Sequence, residues 1–164
     1  VTGLSEPLLS ALQQYLSFAT SCFGSILEAK RVHFITPIII IVCARFQGNV
    51  EFLTEAVIWG NRVRARGRFE FVLKRGDKQI CIVEAEKDDI LQARTQSMIG
   101  CESLCDLEEL DVTYSIATNY LEWCFIRNEA DKVTEEVLTV GLKNGRPTAD
   151  SLRIIANKII AILE

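Results

Sequence analysis

Histidine and the usual cysteine spacings of zinc sites are nearly absent from this sequence. His33 is the only histidine among the 164 residues, and no two of the six cysteines are spaced as Cys-x-x-Cys. Cys101 and Cys105 would lie one turn apart on a helix and could contribute to a metal site. Since structural zinc sites use four Cys or His ligands at characteristic spacings, we predict no zinc site.

The cysteines also lack the pattern of a disulfide framework. They lie mostly inside apolar runs, at positions 22, 43, 81, 101, 105 and 124. Buried free thiols are typical of proteins in a reducing compartment. We therefore expect an intracellular, reducing location.

Long hydrophobic runs are absent as well. The most apolar stretch, residues 34–44, is too short to span a bilayer and contains Pro37, which favours a buried helix that begins at the proline. The chain starts at Val1 without the basic and apolar regions of a secretory signal, so none is expected in this stretch. We predict no membrane association.

The remaining patterns alternate between helical and extended periodicity, as expected for one α/β domain spanning residues 1–164. Helices are predicted over 5–23 and 37–46, from Asp88 or Asp89 to about 105, and over 147–163. Ile90, Ala93, Met98, Ile99, Cys101 and Leu104 are the expected apolar stripe of the third helix. Strands are predicted over 50–59, 67–73, 79–87, 111–119 and 121–127, whereas 135–140 could be strand or helix.

Acidic residues on two neighbouring strands suggest a site. If the second and third strands pair through the turn at 74–78, Glu70 comes beside Glu84, and Glu86 shares the face of Glu84 because side chains two apart on a strand project together. Carboxylate oxygens suit Mg²⁺ or Mn²⁺. Three upstream acids could add a ligand, although solvent exposure is favoured for them: Glu28, Glu51 and Glu55.

The net charge of −4 is mild, so contact with a polyanion would depend on a local basic cluster. Such a cluster precedes and follows Glu70, and its members are Arg62, Arg64, Arg66, Arg68, Lys74, Arg75 and Lys78. A solvated sheet edge would have the same composition. Its position beside the acids favours phosphate contact.

Taken together, these segments resemble the core of the PD-(D/E)XK nuclease superfamily over about residues 50–127, a restriction-endonuclease-like fold with a central mixed β-sheet flanked by helices. More narrowly, the sequence is similar to the C-terminal nuclease-like domains of crinkler proteins, effectors of oomycetes and some fungi, many of which act in a host nucleus. Four segments contain this similarity: 68–73, 82–89, 96–102 and 118–123.

The resemblance implies roles for individual residues. Glu70 and Glu84 would bind the metal, and Gln96 would face the site from a helix. The lysine expected two residues beyond Glu84 is replaced by Glu86, with Lys87 one place later. Glu86 could accept a proton from water or hold a second metal, whereas Lys87 points to the opposite face unless a bulge or the next helix turns it inward.

Two functions follow from this resemblance. The first is a Mg²⁺- or Mn²⁺-dependent nuclease acting on DNA, which is favoured over RNA, as part of a secreted effector delivered to a host nucleus. The second is an inactive nuclease-fold module that binds nucleic acid or a host protein, because Glu86 replaces the lysine. A homodimer is an open alternative, since Tyr120, Trp123 and Phe125 would fit either a core or an interface.

Overall fold

The architecture comes from a computed structural model, which describes residues 3–23, 28–59, 66–85, 90–130 and 132–164. The helices in these ranges are α1 (Glu6–Phe23), α2 (Glu28–Ala44), α3 (Ile90–Glu108) and α4 (Ala149–Leu163). The strands are β1 (Val50–Trp59), β2 (Arg66–Arg75), β3 (Lys78–Ala85), β4 (Val112–Thr118), β5 (Glu122–Glu129), β6 (Lys132–Thr139), β7 (Leu142–Lys143) and β8 (Arg146–Pro147). No described helix is both long and apolar enough to cross a bilayer.

The first six strands form one sheet in the order of the chain, β1 to β6. All neighbours are antiparallel except β3 and β4, which are parallel and are joined through α3, as a parallel pair requires a crossover connection. The short strands β7 and β8 form a separate hairpin. The predicted α/β class, with a central mixed sheet flanked by helices, is confirmed.

One face of the sheet packs against α1, α2 and α4. Alternate strand residues such as Phe71 and Val83 join this apolar cluster, while Val72 clusters with Leu104 of α3 on the other face. The predicted helix over 147–163 is confirmed by α4, which buries six apolar side chains on one face: Leu152, Ile155, Ala156, Ile159, Ile160 and Leu163. Helix α1 follows the same rule with Leu9, Leu12, Leu16 and Ala19.

The prediction that the second helix begins at Pro37 is wrong. Helix α2 starts at Glu28, and Pro37 lies in its interior. A proline inside a helix removes one backbone N–H donor and costs about 3 kcal/mol. Burial of Phe34, Ile35 and Ile38, which are fully inaccessible, offsets this cost by anchoring both sides of the proline in the core.

The predicted apolar stripe of α3 is correct for Cys101 and Leu104 and wrong for Met98 and Ile99. Met98 and Ile99 are exposed, whereas Ser97, Cys101 and Leu104 are buried. The buried positions are spaced by four and three residues, as one face of a helix demands. The predicted caps Asp88 and Asp89 lie outside the described residues.

The C-terminal half of the sheet settles two open alternatives. Residues 132–139 form a strand, β6, paired with β5. The side chains of Tyr120, Trp123 and Phe125 are at most 4% exposed, so they belong to the core and do not form an interface.

Candidate metal site

The pairing of β2 with β3 brings the two predicted metal ligands to the same part of the sheet. Phe71 pairs with Val83, and one step further along the two antiparallel strands stand Glu70 and Glu84. Opposite residues of an antiparallel pair project to one face. Because faces alternate along a strand, this face is the one that holds Val72 and packs against α3.

Hydrogen bonding fixes the Glu70 carboxylate at the end of β3. The backbone N–H of Ala85, the residue after Glu84, donates to Glu70 Oε2 at 3.1 Å. A ligand group that is hydrogen-bonded in this way has its orientation set before any ion arrives. Glu70 is therefore positioned towards the segment that contains Glu84.

Glu84 is buried, with 7% of its surface exposed, and Glu70 is half-buried. Ala117 of β4 is the parallel partner of Glu84, so a small side chain stands beside the acid. Burying a carboxylate is unfavourable unless a counter-charge or hydrogen bonds compensate. A divalent cation held between the two acids is one counter-charge of this kind.

The chemistry of these two residues fits Mg²⁺ or Mn²⁺. Magnesium is commonly held by one or two carboxylates, with water and substrate phosphates completing its shell. Within the described ranges, no group of three or more His, Cys, Asp and Glu side chains is arranged to hold a metal. The third predicted acid, Glu86, and the neighbouring Lys87 lie outside those ranges, so their roles stay predictions.

The backbone is irregular directly across from Glu70. Thr54 pairs with Phe71 and Ala56 with Phe69, so Glu55 lies opposite Glu70, where the ladder is interrupted. Glu55 has a φ of 53°, in the left-handed region that costs a non-glycine residue about 1 kcal/mol or more. Such strain is concentrated at functional sites, and Glu55 itself is exposed.

The helix residue expected to face the site, Gln96, is exposed. Its neighbour Ser97 lies on the buried side of α3 with no exposed surface, and its Oγ has no hydrogen-bond partner among the described atoms. The sequence contained a signal for this residue, because Ser97 is spaced four residues before Cys101 and seven before Leu104. A role for Gln96 stays a prediction.

Two of the predicted basic residues are far from the acids. Lys74 Nζ lies 3.8 Å from Glu51 Oε2, and the Arg75 guanidinium donates to the backbone carbonyls of Leu163 and Glu164. Both residues stand at the turn between β2 and β3, the opposite end of β3 from Glu84. The expected position beside the acids is therefore wrong for Lys74 and Arg75.

The other arginines of the predicted basic cluster are described in part or not at all. Arg66 and Arg68 belong to the end of β2 that includes Glu70, although only their backbone is described. Arg62 and Arg64 lie outside the described residues. Phosphate contact by these four arginines stays a prediction.

Comparison with known proteins finds similarity to a curated sequence and to a solved structure. The chain is 41% identical over 158 residues to crinkler effector protein 5 of Phytophthora infestans, an alignment that covers 94% of this chain and 45% of that protein. The chain resembles a crinkler effector. It spans less than half of that relative's length. No family model matches the sequence.

The crinkler-like chain also has a structural neighbour among solved proteins. A cryo-EM structure of a DrdV–DNA complex superposes with a TM-score of 0.57 at 12% identity, over 95% of this chain and 14% of that one. At this identity the likeness concerns the fold alone. Membership of the PD-(D/E)XK superfamily stays a prediction.

Proposed function

We propose that this chain is the nuclease module of a crinkler-like effector and hydrolyses phosphodiester bonds of nucleic acid with the aid of Mg²⁺ or Mn²⁺. The observation that supports this most is the buried Glu84 next to Glu70 at the end of β3, on the face that packs against α3. The likeness to the crinkler effector protein and to the fold of the chain in the DrdV–DNA complex agrees with it.

In this proposal Glu84 and Glu70 hold the cation through their carboxylate oxygens. The Ala85 amide keeps the Glu70 carboxylate in a fixed orientation, so little reorganisation is needed on binding. When bound, the cation would supply activation of water and neutralisation of charge on the scissile phosphate. Glu86, from its position two residues beyond Glu84, would accept a proton from the attacking water.

The substrate of this module would be DNA in preference to RNA, met inside a host nucleus after secretion and delivery. These statements extend the likeness to the crinkler effector protein, of which this chain matches 45%.

A second candidate is an inactive module that binds nucleic acid or a host protein. The observation that favours it is the sequence Glu84-Ala85-Glu86-Lys87, which has an acid where the superfamily usually has its lysine. Such a module would bind nucleic acid in EDTA, with affinity that falls steeply as salt rises. Binding that is insensitive to salt would instead indicate a protein partner.

Cleavage of plasmid DNA and of RNA by the purified chain, with Mg²⁺, Mn²⁺ or EDTA, separates the two candidates. We expect cleavage with either metal, none in EDTA, and a loss of about a hundredfold or more in Glu84→Gln and Glu70→Gln. Glu102→Gln is the matched control, because Glu102 is exposed on α3.

Calorimetry with Mn²⁺ gives a readout that does not depend on cleavage. Glu84→Gln should weaken Mn²⁺ binding, while Glu102→Gln should not. Absence of cleavage with every divalent metal, or full cleavage by Glu84→Gln, would overturn the nuclease proposal.

A further inference from the structure

A large cleft lies on the other side of the sheet from α3, between α1, the β7–β8 hairpin and the start of α4. Its volume is about 910 Å³. Its charged lining residues are Lys143 and Arg146, and α1 adds the uncharged side chains of Ser10, Gln14 and Ser17. None of the lining residues is Asp or Glu, so every charged side chain described in the cleft is positive. We call it the Lys143–Arg146 cleft.

The hairpin forces the two cations together. Asn144 and Gly145 have φ values of 53° and 74°, as the two central positions of a type I′ turn require. Lys143 is paired directly with Arg146 across this turn. Like charges opposite each other on a hairpin are destabilising, and the salt bridges among the described residues include neither side chain. An anion between them would offset this repulsion.

Hydrogen bonds hold the hairpin in place. Gln13 Nε2 of α1 donates to the Pro147 carbonyl at 3.1 Å, and the Thr148 N–H donates to the Gly141 carbonyl at 2.8 Å. Pro147 is buried. Lys143 and Arg146 therefore belong to a turn that these hydrogen bonds hold in one conformation. A ligand would not have to order this turn on binding.

The cleft opens at the same edge of the sheet as the acid pair. Strand β6 runs parallel to β3, because β3 and β4 are parallel and each of the next two pairs is antiparallel. The hairpin that follows β6 is thus at the edge where β3 ends with Glu84 and Ala85. Three strand spacings, or about 14 Å along the sheet, separate β3 from β6. Because the cleft and the acid pair lie on opposite faces, a strand that reaches both passes over this end of the sheet and spans at least about four nucleotides.

We propose that the Lys143–Arg146 cleft binds backbone phosphates of the nucleic-acid strand whose scissile bond lies at Glu70 and Glu84. This inference rests on the proposed function and adds a substrate contact at least about four nucleotides from the reacting phosphate. Phosphate contacts of this kind position the strand and give no sequence preference. The cleft thereby favours long substrates over short ones.

The test compares Lys143→Ala/Arg146→Ala with Lys132→Ala, which removes an exposed positive charge at the opposite edge of the sheet. Binding to duplex DNA of about 30 base pairs is measured in EDTA across a salt series. The first variant should bind about tenfold more weakly near 0.1 M salt, with a slope of log affinity against log salt that is shallower by about two. The control should retain the slope of the native protein.

A second measurement keeps this inference separable from the nuclease proposal. Hydrolysis of a small aryl phosphodiester, too short to reach the cleft, should be unchanged in Lys143→Ala/Arg146→Ala and lost in Glu84→Gln. If Lys143→Ala/Arg146→Ala has the DNA affinity and salt slope of the native protein, the cleft does not bind phosphates, while the proposal that Glu70 and Glu84 hold the metal is unaffected. If Lys143→Ala/Arg146→Ala instead loses binding to acidic phospholipid vesicles and binds DNA normally, the cleft binds a membrane surface and the inference is wrong.

Discussion

The two faces of the six-stranded sheet differ in the chemistry of their buried residues. The face towards α1, α2 and α4 is filled by aliphatic and aromatic side chains, with Trp123 and Phe34 fully buried among them. The face towards α3 is polar by comparison. Five of the six buried polar residues in the described part of the chain lie on α3 or on strand positions that face it: Glu84, Ser97, Ser103, Thr113 and Ser115.

This difference suggests that one face mainly provides folding stability and the other mainly provides the chemistry of the site. Apolar burial is the main source of folding free energy, and most of it is on the face with three helices. A carboxylate such as Glu84 is tolerated better on a face with other buried polar residues than in an aliphatic core. We therefore expect mutations on the first face to act on stability and mutations on the second to act on activity.

The largest expected effect is on the apolar face. Leu152→Ala should lower the free energy of unfolding by about 2–5 kcal/mol, because Leu152 is fully buried in the cluster. The activity of the folded fraction should be unchanged. Urea denaturation followed by circular dichroism measures the first quantity, and cleavage assayed well below the denaturation temperature measures the second.

Ile154→Ala on the same helix is the control for Leu152→Ala. Ile154 is 55% exposed, so this change should alter stability by no more than about 0.5 kcal/mol. An equal loss in both variants would contradict the assignment of the core to this face of α4.

The second-largest expected effect is a loss of folding stability at alkaline pH, caused by thiols buried on the apolar face. Burial raises the pKa of Cys43 from 9.0 to about 11, and burial likewise raises the pKa of Cys81. On the α3 face, burial raises the pKa of Cys101 too, but the neighbouring Ser115 and Thr113 side chains act against it. The difference in the surroundings of the thiols matches the difference between the two faces.

The sign of the pH dependence follows from these shifts. Above pH 9 the unfolded Cys43 thiol loses its proton while the folded one keeps it, so the folded state binds more protons and the free energy of unfolding falls as pH rises. The Cys43 contribution is complete below pH 9 and is lost as pH passes about 11, on the order of 2 kcal/mol. Denaturation across this range should show a smaller loss in Cys43→Ala than in Cys22→Ala, where the replaced thiol is exposed. Equal losses would contradict the burial of Cys43.

The smallest expected effect concerns a polar atom inside the apolar face. Tyr120 is 1% exposed, its Oη has no hydrogen-bond partner among the described atoms, and burial raises its pKa to about 12. Tyr120→Phe removes this group and should leave stability unchanged or raise it by up to about 1 kcal/mol. Thermal denaturation measures the change. A loss of more than about 2 kcal/mol would show that the hydroxyl makes a stabilising contact.

Much of the fold was predictable because long amphipathic patterns determine it. Helix α4 has a clear period of 3.6, and strands β1, β4 and β5 are extended runs rich in β-branched and aromatic residues, so all four lie where the sequence predicts them within a few residues. Helix α2 was misplaced because it is apolar on most sides, so periodicity could not locate its start, and Pro37 suggested a false one.

The candidate site was predictable only in part. The short turn between β2 and β3 fixes the register, which brings Glu70 and Glu84 together. Lys74 was misjudged because four residues along a strand span about 13 Å, so closeness in sequence does not mean closeness in space. Of the Lys143–Arg146 cleft, only the Asn-Gly turn could be recognised in the sequence. Its other wall comes from α1, which is more than a hundred residues away along the chain.

The central claim is that Glu70 and Glu84 together hold a divalent cation. Anomalous diffraction from a crystal soaked in Mn²⁺ tests it most directly, with a crystal of Glu84→Gln soaked in parallel. We expect an anomalous peak within coordination distance of both carboxylates in the native crystal and none in the variant. A native crystal with no peak between Glu70 and Glu84, from protein that cleaves nucleic acid in the same Mn²⁺ buffer, would contradict the account.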